Sequence, residues 1–240
     1  MLKRLLDIVV SFSALIAFSP VLLVVLVLVF LYDRHSPIFA AQRVGRDGKP
    51  FVMFKIRSMV IAAEKLGGSS TSNSDNRITP VGSFVRKFKL DEVSQFVNVL
   101  IGDMSLVGPR PNTVSDVGLY TAEERLLLDV RPGITDFASI VFSDEGSILA
   151  QHSDPDLAYN QLIRPRKNRL AMFNIKISGV LLDLKVCILT FIAVFSRSAA
   201  LKGIVRLLEI NGAPDELLEY ARRETELTPI PLLGSDEIYE

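Results

Sequence analysis

The chain has 240 residues, with 27 basic and 27 acidic side chains and a hydrophobic fraction of 49%. This length can bury one sizeable core, and the balanced net charge alone identifies no partner. The charge is unevenly placed, because basic residues cluster in 34–57 and 164–176 while the stretch from Glu209 onward is acidic. Basic clusters beside apolar segments indicate an anionic surface or ligand. Nothing resembles a recognition helix, so we expect no nucleic-acid partner, and the single Cys187 excludes an internal disulfide.

Residues 8–32 carry no charge and would extend about 37 Å as a straight helix, enough to cross a bilayer. The run is too long for a signal peptide and has no small-residue cleavage site. This segment therefore argues against a soluble binding module. Lys3 and Arg4 before it and Arg34 after it all favour the cytoplasmic side.

Ser19 and Pro20 lie in the middle of this apolar run. Proline removes a backbone donor and kinks a helix, and the Ser19 hydroxyl can bond the carbonyl that is freed. A sharp bend here would let the chain enter and leave through one leaflet. From these residues alone, an ordinary kinked spanning helix fits equally well.

The chain after the membrane segment is polar and basic. Residues 42–54 predict a turn between two short strands. If that extended segment continues, Lys55 and Arg57 point to one face and offer two cations to one anionic group; a solvated basic strand is the alternative. The composition of residues 67–76 predicts a flexible loop.

Asp91 and Glu92 are placed by their spacing in the first turn of an amphipathic helix. Adjacent acids at a helix start commonly just complement the helix dipole. Arg86 lies before the pair, however, and Arg110 follows between two prolines, which preset its backbone. Arg131 precedes another proline. Cations converging on two carboxylates suit a diphosphate substrate with a divalent metal.

Towards the C-terminus, the apolar stretch 186–195 is too short to span a bilayer and predicts an interfacial or buried helix. Residues 215–226 predict a charged helix, and residues 228–231 a loop. We expect three parts: a membrane helix over 1–34, a catalytic domain with interfacial helices over 35–200, and an acidic extension over 201–240.

Roughly residues 1–195 resemble the bacterial sugar transferase family, the monotopic polyprenyl-phosphate phosphoglycosyl transferases. The matching motifs occur in family order. They are the Lys-Arg start, the Ser-Pro apolar segment, Gln-x-Arg-Val-Gly, Lys-x-Arg-Ser-Met, Arg-Ile-Thr-Pro-x-Gly, Asp-Glu-x-x-Gln-x-x-Asn-Val-Leu, Gly-Asp-Met-Ser-Leu-Val-Gly-Pro-Arg-Pro and Arg-Pro-Gly-Ile-Thr.

The resemblance implies an α+β monotopic protein of the bacterial inner membrane. Its re-entrant helical hairpin would break at Ser19-Pro20, and its small domain, with a short sheet, would face the cytoplasm. The implied reaction moves a sugar-1-phosphate from a UDP-sugar to polyprenyl (undecaprenyl) phosphate, releases UMP and begins glycan assembly. A homodimer or a downstream glycosyltransferase is an expected partner.

The resemblance also implies the roles of the site residues. Asp91 would attack the phosphate that bears the sugar and form a covalent aspartyl-phosphosugar, and Glu92 would hold Mg²⁺. The residues implied to line the phosphate site are Lys55, Arg57, Arg86, Arg110, Arg131 and Asp183.

Two positions depart from the family pattern. Ser94 stands where the family usually has proline, from which we expect altered rigidity and retained chemistry. Asp136 stands where it usually has glycine, and a positive φ there would strain it modestly. A catalytically silent scaffold, or a phosphotransferase of CDP-activated lipids, is the alternative function. The intact carboxylates oppose the first, and the single apolar run opposes the second.

Overall fold

The computed structural model describes residues 2–63, 66 and 75–240, so most of the loop predicted over 67–76 lies outside the described residues. The four strands are β1 (Ile38–Val44), β2 (Pro50–Ile56), β3 (Ser105–Val107) and β4 (Gly133–Thr135). The helices are α1 (Leu2–Asp33), α2 (Pro80–Lys87), α3 (Leu90–Val93), α4 (Gln95–Ile101), α5 (Val114–Gly118), α6 (Phe137–Val141), α7 (Glu145–Leu149), α8 (Pro155–Ala158), α9 (Arg164–Lys176), α10 (Val180–Phe195), α11 (Arg197–Ile210) and α12 (Asp215–Arg222). A π-helical turn, Tyr159–Ile163, joins α8 to α9.

Among the described residues, α1 is the one helix long and apolar enough to cross a membrane. Pro20 lies inside it, and the Ser19 hydroxyl donates to the carbonyl of Ile16 at 2.8 Å. That carbonyl lies four residues before Pro20, so it is the one that proline leaves without a backbone donor. The predicted compensation by Ser19 is confirmed.

Both ends of α1 contact the same body of the protein. Near its start, Arg4 donates to the carbonyl of Leu100 at the end of α4, at 2.8 Å, and the Asp7 carboxylate accepts from the Leu106 backbone amide of β3 at 3.0 Å. Near its end, Val25 and Val29 are buried in a cluster with residues of β2, α2 and α3. The middle of α1 is largely exposed and apolar.

The strands form two small sheets, so the mixed α and β composition that was predicted is found. β1 and β2 make an antiparallel hairpin in which Val44 pairs with Pro50 and Ile38 with Ile56. β3 and β4 are parallel. At the end of β3 the backbones of Gly108 and Gly133 approach so closely that a Cβ on Gly133 would lie 2.1 Å from the Gly108 nitrogen. Only glycine fits there, and this contact fixes the chain just before Arg110.

The C-terminal helices belong to the main hydrophobic core. Ile204 and Leu208 of α11 and Ala221 of α12 are fully buried in the same cluster as Phe137. The domain boundary expected at residue 200 falls inside α11. The charged helix predicted over 215–226 is present as α12, and residues 228–231 form a loop as predicted. α10 keeps an exposed apolar face, in which Phe195 is 77% exposed.

Candidate active site

The two acidic side chains of the predicted pair begin a short helix. Lys89, just before α3, adopts a left-handed backbone conformation with φ of 56°, which is uncommon for a residue with a side chain and is often found at functional sites. The turn places Asp91 and Glu92 in the first turn of α3, where both are half-buried. The helix predicted to run on from them is divided at Ser94 into α3 and α4.

Ser94 holds this division in place. Its hydroxyl lies 2.9 Å from the carbonyl oxygen of Phe54 in β2 and 3.0 Å from that of Asp91. The single hydroxyl proton is shared between the two acceptors. The serine that replaces the usual proline therefore ties the turn carrying Asp91 to the neighbouring strand, which proline could not do.

Arg110 is fixed against the second carboxylate. Its Nη1 donates to Glu92 Oε1 at 3.0 Å, and prolines on either side restrict its backbone. Burial raises the pKa of the Glu92 carboxyl, but the charges of Arg110, Lys89 and Lys55 outweigh it and bring that pKa down to about 2. The pKa of Arg110 is raised, chiefly by the charge of Glu92. Glu92 is therefore an anion at neutral pH.

Asp91 lies in a different environment from its neighbour. Burial and the adjacent charge of Glu92 raise the pKa of the Asp91 carboxyl, while the charges of Lys55, Arg110 and Arg86 act against the rise. Burial and the charge of Arg110 lower the pKa of the Lys55 ammonium to about 8. The structure thus brings together five of the predicted site residues around one half-buried point.

A second polar cluster borders this point and was not predicted. Lys167 of α9 pairs with Glu145 of α7 at 2.8 Å, and its ammonium lies 5.7 Å from the centroid of the Tyr159 ring. Burial raises the pKa of Glu145, but Lys167 outweighs it and the net pKa is lowered, with Arg110 contributing in the same direction. Tyr159 belongs to the π-helical turn, a feature common at functional sites.

Three predicted site residues make their contacts elsewhere. Arg57 pairs with Asp33 at the end of α1 through two hydrogen bonds and also donates to the Ser36 carbonyl at 2.8 Å. Arg131 is exposed and donates to the Gly102 carbonyl, at the end of α4, at 2.9 Å. These contacts join elements of the fold, and a role of either arginine in phosphate binding stays a prediction.

Asp183 is the third of these residues. It is buried in α10 and accepts from Lys3 at the start of α1. Lys3 also donates to the Val107 carbonyl at 3.0 Å. The acid therefore anchors α1 to the body, and any part in the phosphate site likewise stays a prediction.

The expectation of strain at Asp136 is wrong. Its φ is −161°, which is extended backbone, and its carboxylate accepts from the Ser139 amide at 2.7 Å as the N-cap of α6. Aspartate is a favoured N-cap because it satisfies an amide at the helix start. Asp136 therefore caps the Ser139 amide, which a glycine at this position would leave without a side-chain acceptor.

No group of three or more His, Cys, Asp or Glu side chains in the described part of the chain is arranged to hold a metal ion by itself. Asp91 and Glu92 are adjacent carboxylates, and only one Glu92 oxygen is engaged by Arg110. Mg²⁺ is commonly held by one or two carboxylates together with substrate phosphates. The donor set therefore suits a metal that arrives with a phosphorylated substrate.

Comparison with known proteins finds several similar sequences. A UDP-glucose:undecaprenyl-phosphate glucose-1-phosphate transferase of Klebsiella pneumoniae is 43% identical over 141 residues, covering 58% of this chain and 30% of the relative. A UDP-N-acetylgalactosamine-undecaprenyl-phosphate N-acetylgalactosaminephosphotransferase of Aeromonas hydrophila is 38% identical over 143 residues, covering 58% of this chain and 34% of the relative. The chain thus spans about a third of the length of these relatives.

A third relative is closer to this chain in length. The exopolysaccharide production protein ExoY of Sinorhizobium fredii is 35% identical over 148 residues, covering 55% of this chain and 66% of the relative. The family model described as bacterial sugar transferase matches residues 1–197, which include α1 and every residue of the site. The chain therefore belongs to the bacterial sugar transferase family.

Proposed function

We propose that the protein transfers a sugar-1-phosphate from a UDP-sugar to a polyprenyl phosphate, with undecaprenyl phosphate as the acceptor, and releases UMP. This would be the first membrane step in the assembly of a glycan. The names of the relatives support the two substrate classes. The observation that carries the proposal is the half-buried Asp91–Glu92 pair with Arg110, Lys55 and Arg86 around it.

In the first step, an Asp91 carboxylate oxygen attacks the phosphorus that bears the sugar. The new bond joins that oxygen to phosphorus, and the bond from phosphorus to the UMP oxygen breaks, so UMP leaves as an anion. In the second step, a phosphate oxygen of the polyprenyl phosphate attacks the same phosphorus, the bond from phosphorus to the Asp91 oxygen breaks, and the Asp91 carboxylate is regenerated. A carboxylate is a competent nucleophile when cations offset the charge of the phosphoryl oxygens.

The charged side chains of the site have two roles in the proposed reaction. Arg110 and Lys55 neutralise the charge that builds on the diphosphate, and the fork of Arg110 suits phosphate oxygens. Glu92 stays ionised and would hold Mg²⁺ with the substrate phosphates. When bound, the metal supplies further charge neutralisation and orients the leaving group.

We further propose that α1 is a re-entrant hairpin in the bacterial inner membrane and that the rest of the protein faces the cytoplasm. Between Arg4 and Val25 a straight helix would extend about 31 Å. Yet Arg4 contacts the end of α4, and Val25 packs in a cluster that also contacts Phe96 near the start of α4. A seven-residue helix is only about 10 Å long. A bend near Pro20 reconciles these contacts, while a homodimer or a downstream glycosyltransferase partner remains a prediction.

The reaction can be tested on the full chain in nanodiscs with Mg²⁺, undecaprenyl phosphate and a panel of UDP-hexoses and UDP-N-acetylhexosamines. We expect UMP release from one donor, and none from the Asp91→Asn variant. Asp236→Asn, in the exposed tail, is the matched control and should keep full activity. If the folded protein releases no UMP from any donor of the panel, the catalytically silent scaffold is favoured instead. UMP release by Asp91→Asn would exclude Asp91 as the nucleophile.

A further inference from the structure

A basic groove lies between α11 and α12, outside the active site and mostly beyond the part of the chain that the family model matches. Its volume is about 790 Å³. Five cations line it: Arg197, Lys202, Arg206, Arg222 and Arg223. The groove is concave and strongly positive, which is the usual character of an anion-binding site.

The floor of the groove holds two arginines around one acid. Arg197 lies 3.0 Å and Arg223 3.1 Å from the Asp144 carboxylate oxygens. Arg223 also stacks over the Phe142 ring, with its guanidinium carbon 4.9 Å from the centroid. A single carboxylate cannot neutralise two guanidinium groups, so positive charge remains on the floor.

Two donor atoms of this floor are buried without a hydrogen-bond partner among the described residues. They are Nε of Arg197 and Nη1 of Arg223. Leaving a buried donor of a charged group unsatisfied is costly. In addition, Arg223 has a left-handed φ of 57°, which a residue with a Cβ adopts only at a cost. Together with the incomplete neutralisation by Asp144, these features show that the charge of the two arginines is not fully compensated by other described residues.

The rim of the groove adds three exposed cations. Arg222 lies 3.5 Å from Glu209, whereas Lys202 and Arg206 form no ion pair with another described residue. Counting Asp144 on the floor and Glu209 and Glu224 on the rim, five cations face three carboxylates. The groove therefore keeps an excess of positive charge for a ligand.

The helix that carries the exposed apolar face, α10, ends just before Arg197, which lines the groove. Phe191 is 64% and Phe195 is 77% exposed, and Phe195 lies two residues before Arg197. Exposed aromatic side chains of this kind commonly rest in the interface of a bilayer. The groove is thus adjacent to a surface suited to acyl chains.

We propose that the groove between α11 and α12 is a second anion site, separate from the active site, that binds a phosphate-bearing anion. The neighbouring apolar face of α10 favours the head group of an anionic phospholipid as the source of that phosphate. A soluble phosphate compound offers the same chemistry, and the test distinguishes the two. The site does not depend on the proposed transferase reaction.

The test uses the full chain in maltoside micelles and measures binding by calorimetric titration. One arm titrates mixed micelles of phosphatidylglycerol, and the other titrates inorganic pyrophosphate. The groove variant is Lys202→Gln with Arg206→Gln. The matched control, Lys49→Gln with Arg125→Gln, removes the same charge from exposed positions outside the groove and leaves any binding at the active site equally intact.

We expect the groove variant to bind at least one of the two anions roughly tenfold more weakly or worse, since each lysine or arginine near an anionic surface contributes appreciably. The control should change affinity less than twofold. A loss confined to phosphatidylglycerol identifies the phospholipid head group, and a loss that includes pyrophosphate identifies phosphate in general. Equal affinities of the groove variant and the control for both anions would overturn the proposal.

Discussion

Arg110 donates a hydrogen bond to Glu92 at 3.0 Å, so the arginine between two prolines is held on the second carboxylate and not on the first. Glu92 consequently stays ionised, with a pKa of about 2. Asp91 accepts no hydrogen bond through its carboxylate from a described side chain. Glu92 is thus engaged by Arg110 while Asp91 is not, which is the difference that the proposed roles of metal ligand and nucleophile require.

Replacing Arg110 tests this division directly. We expect Arg110→Gln to lower kcat about 10²- to 10³-fold, as is typical when a group that stabilises developing charge is lost. Arg110→Lys should recover only part of the rate, because an ammonium cannot reproduce the planar fork. Steady-state UMP release measures both, with Arg125→Gln as a surface control. A rate for Arg110→Gln within about threefold of the parent would show that the contact with Glu92 is structural.

The pH dependence of kcat/KM should report the ionisation of Lys55 and Asp91. Lys55 is charged below its pKa of about 8 and becomes neutral as the pH rises through that value, so the site loses a cation and kcat/KM should fall above about pH 8. Below neutrality, kcat/KM should fall as Asp91 gains a proton, at a pH higher than for an ordinary aspartate because its pKa is raised. A bell-shaped kcat/KM profile reports groups of the free enzyme.

Lys55→Arg separates this explanation from others. Arginine keeps its charge throughout the accessible pH range, so the decline near pH 8 should disappear while the acid limb stays. The same decline in the variant would mean that a different group causes it. Lys49→Arg, at an exposed position, is the control and should leave both limbs unchanged.

Ser94 should act on the position of Asp91. Ser94→Ala removes the hydroxyl that bonds the carbonyls of Phe54 and Asp91, and we expect a loss of about 1 kcal/mol in the free energy of unfolding. Because this hydroxyl bonds the backbone carbonyl of Asp91, the proposed nucleophile, and holds it near β2, kcat should fall several-fold with little change in KM. Ser83→Ala, at an exposed site, is the control. An unchanged kcat in Ser94→Ala would mean that the Ser94 hydroxyl does not position Asp91 for the reaction.

The sequence predicted which side chains converge at the candidate site where these residues lie close together along the chain. Asp91, Glu92 and Arg110 lie within one continuous stretch of motifs, and their convergence was expected. Lys55 and Arg57 were expected on one face by strand alternation, but β2 ends at Ile56, so Arg57 leaves the strand and turns to Asp33. The alternation rule does not apply beyond the last paired residue.

The missed cluster shows the other limit of the sequence. Glu145 and Lys167 lie on different helices, and nothing in the basic run 164–176 separates Lys167 from its basic neighbours. Only the tertiary fold, which brings the side chains of Glu145 and Lys167 together, makes the pair. The position of Glu145, an acid in the segment 136–150 that follows the last family motif, was a weak indication of a role near the site. Its partner could not be inferred from spacing.

The Glu145–Lys167 pair should be asymmetric in its effect on stability. Glu145→Gln leaves the nearly buried Lys167 ammonium without its anion and should cost about 2 kcal/mol in the free energy of unfolding. Lys167→Met should cost less, because Glu145 keeps the influence of Arg110. Denaturant unfolding of the solubilised protein measures both. A larger loss for Lys167→Met would mean that Arg110 does not support Glu145.

The membrane topology of α1 can be tested by labelling single cysteines. In a Cys187→Ser background, Leu2→Cys and Tyr32→Cys place thiols at exposed positions near the two ends of α1. If α1 is re-entrant, an impermeant maleimide should label both from the cytoplasmic side, in inside-out vesicles, and neither in right-side-out vesicles. Val21→Cys, next to the bend, should be protected from both sides because it lies in lipid.

Pro20→Ala asks whether the proline sets that topology. Alanine restores the backbone donor to the Ile16 carbonyl and removes the ring that opposes a straight helix. A straight α1 is long enough to cross the bilayer, so we expect a fraction of the Tyr32→Cys thiols in this variant to become reactive from the periplasmic side. The contacts of Asp33 with Arg57, and of Val29 in its cluster, oppose that change, which is why only a fraction should convert. Periplasmic labelling of Tyr32→Cys with Pro20 intact would instead show that α1 spans the membrane.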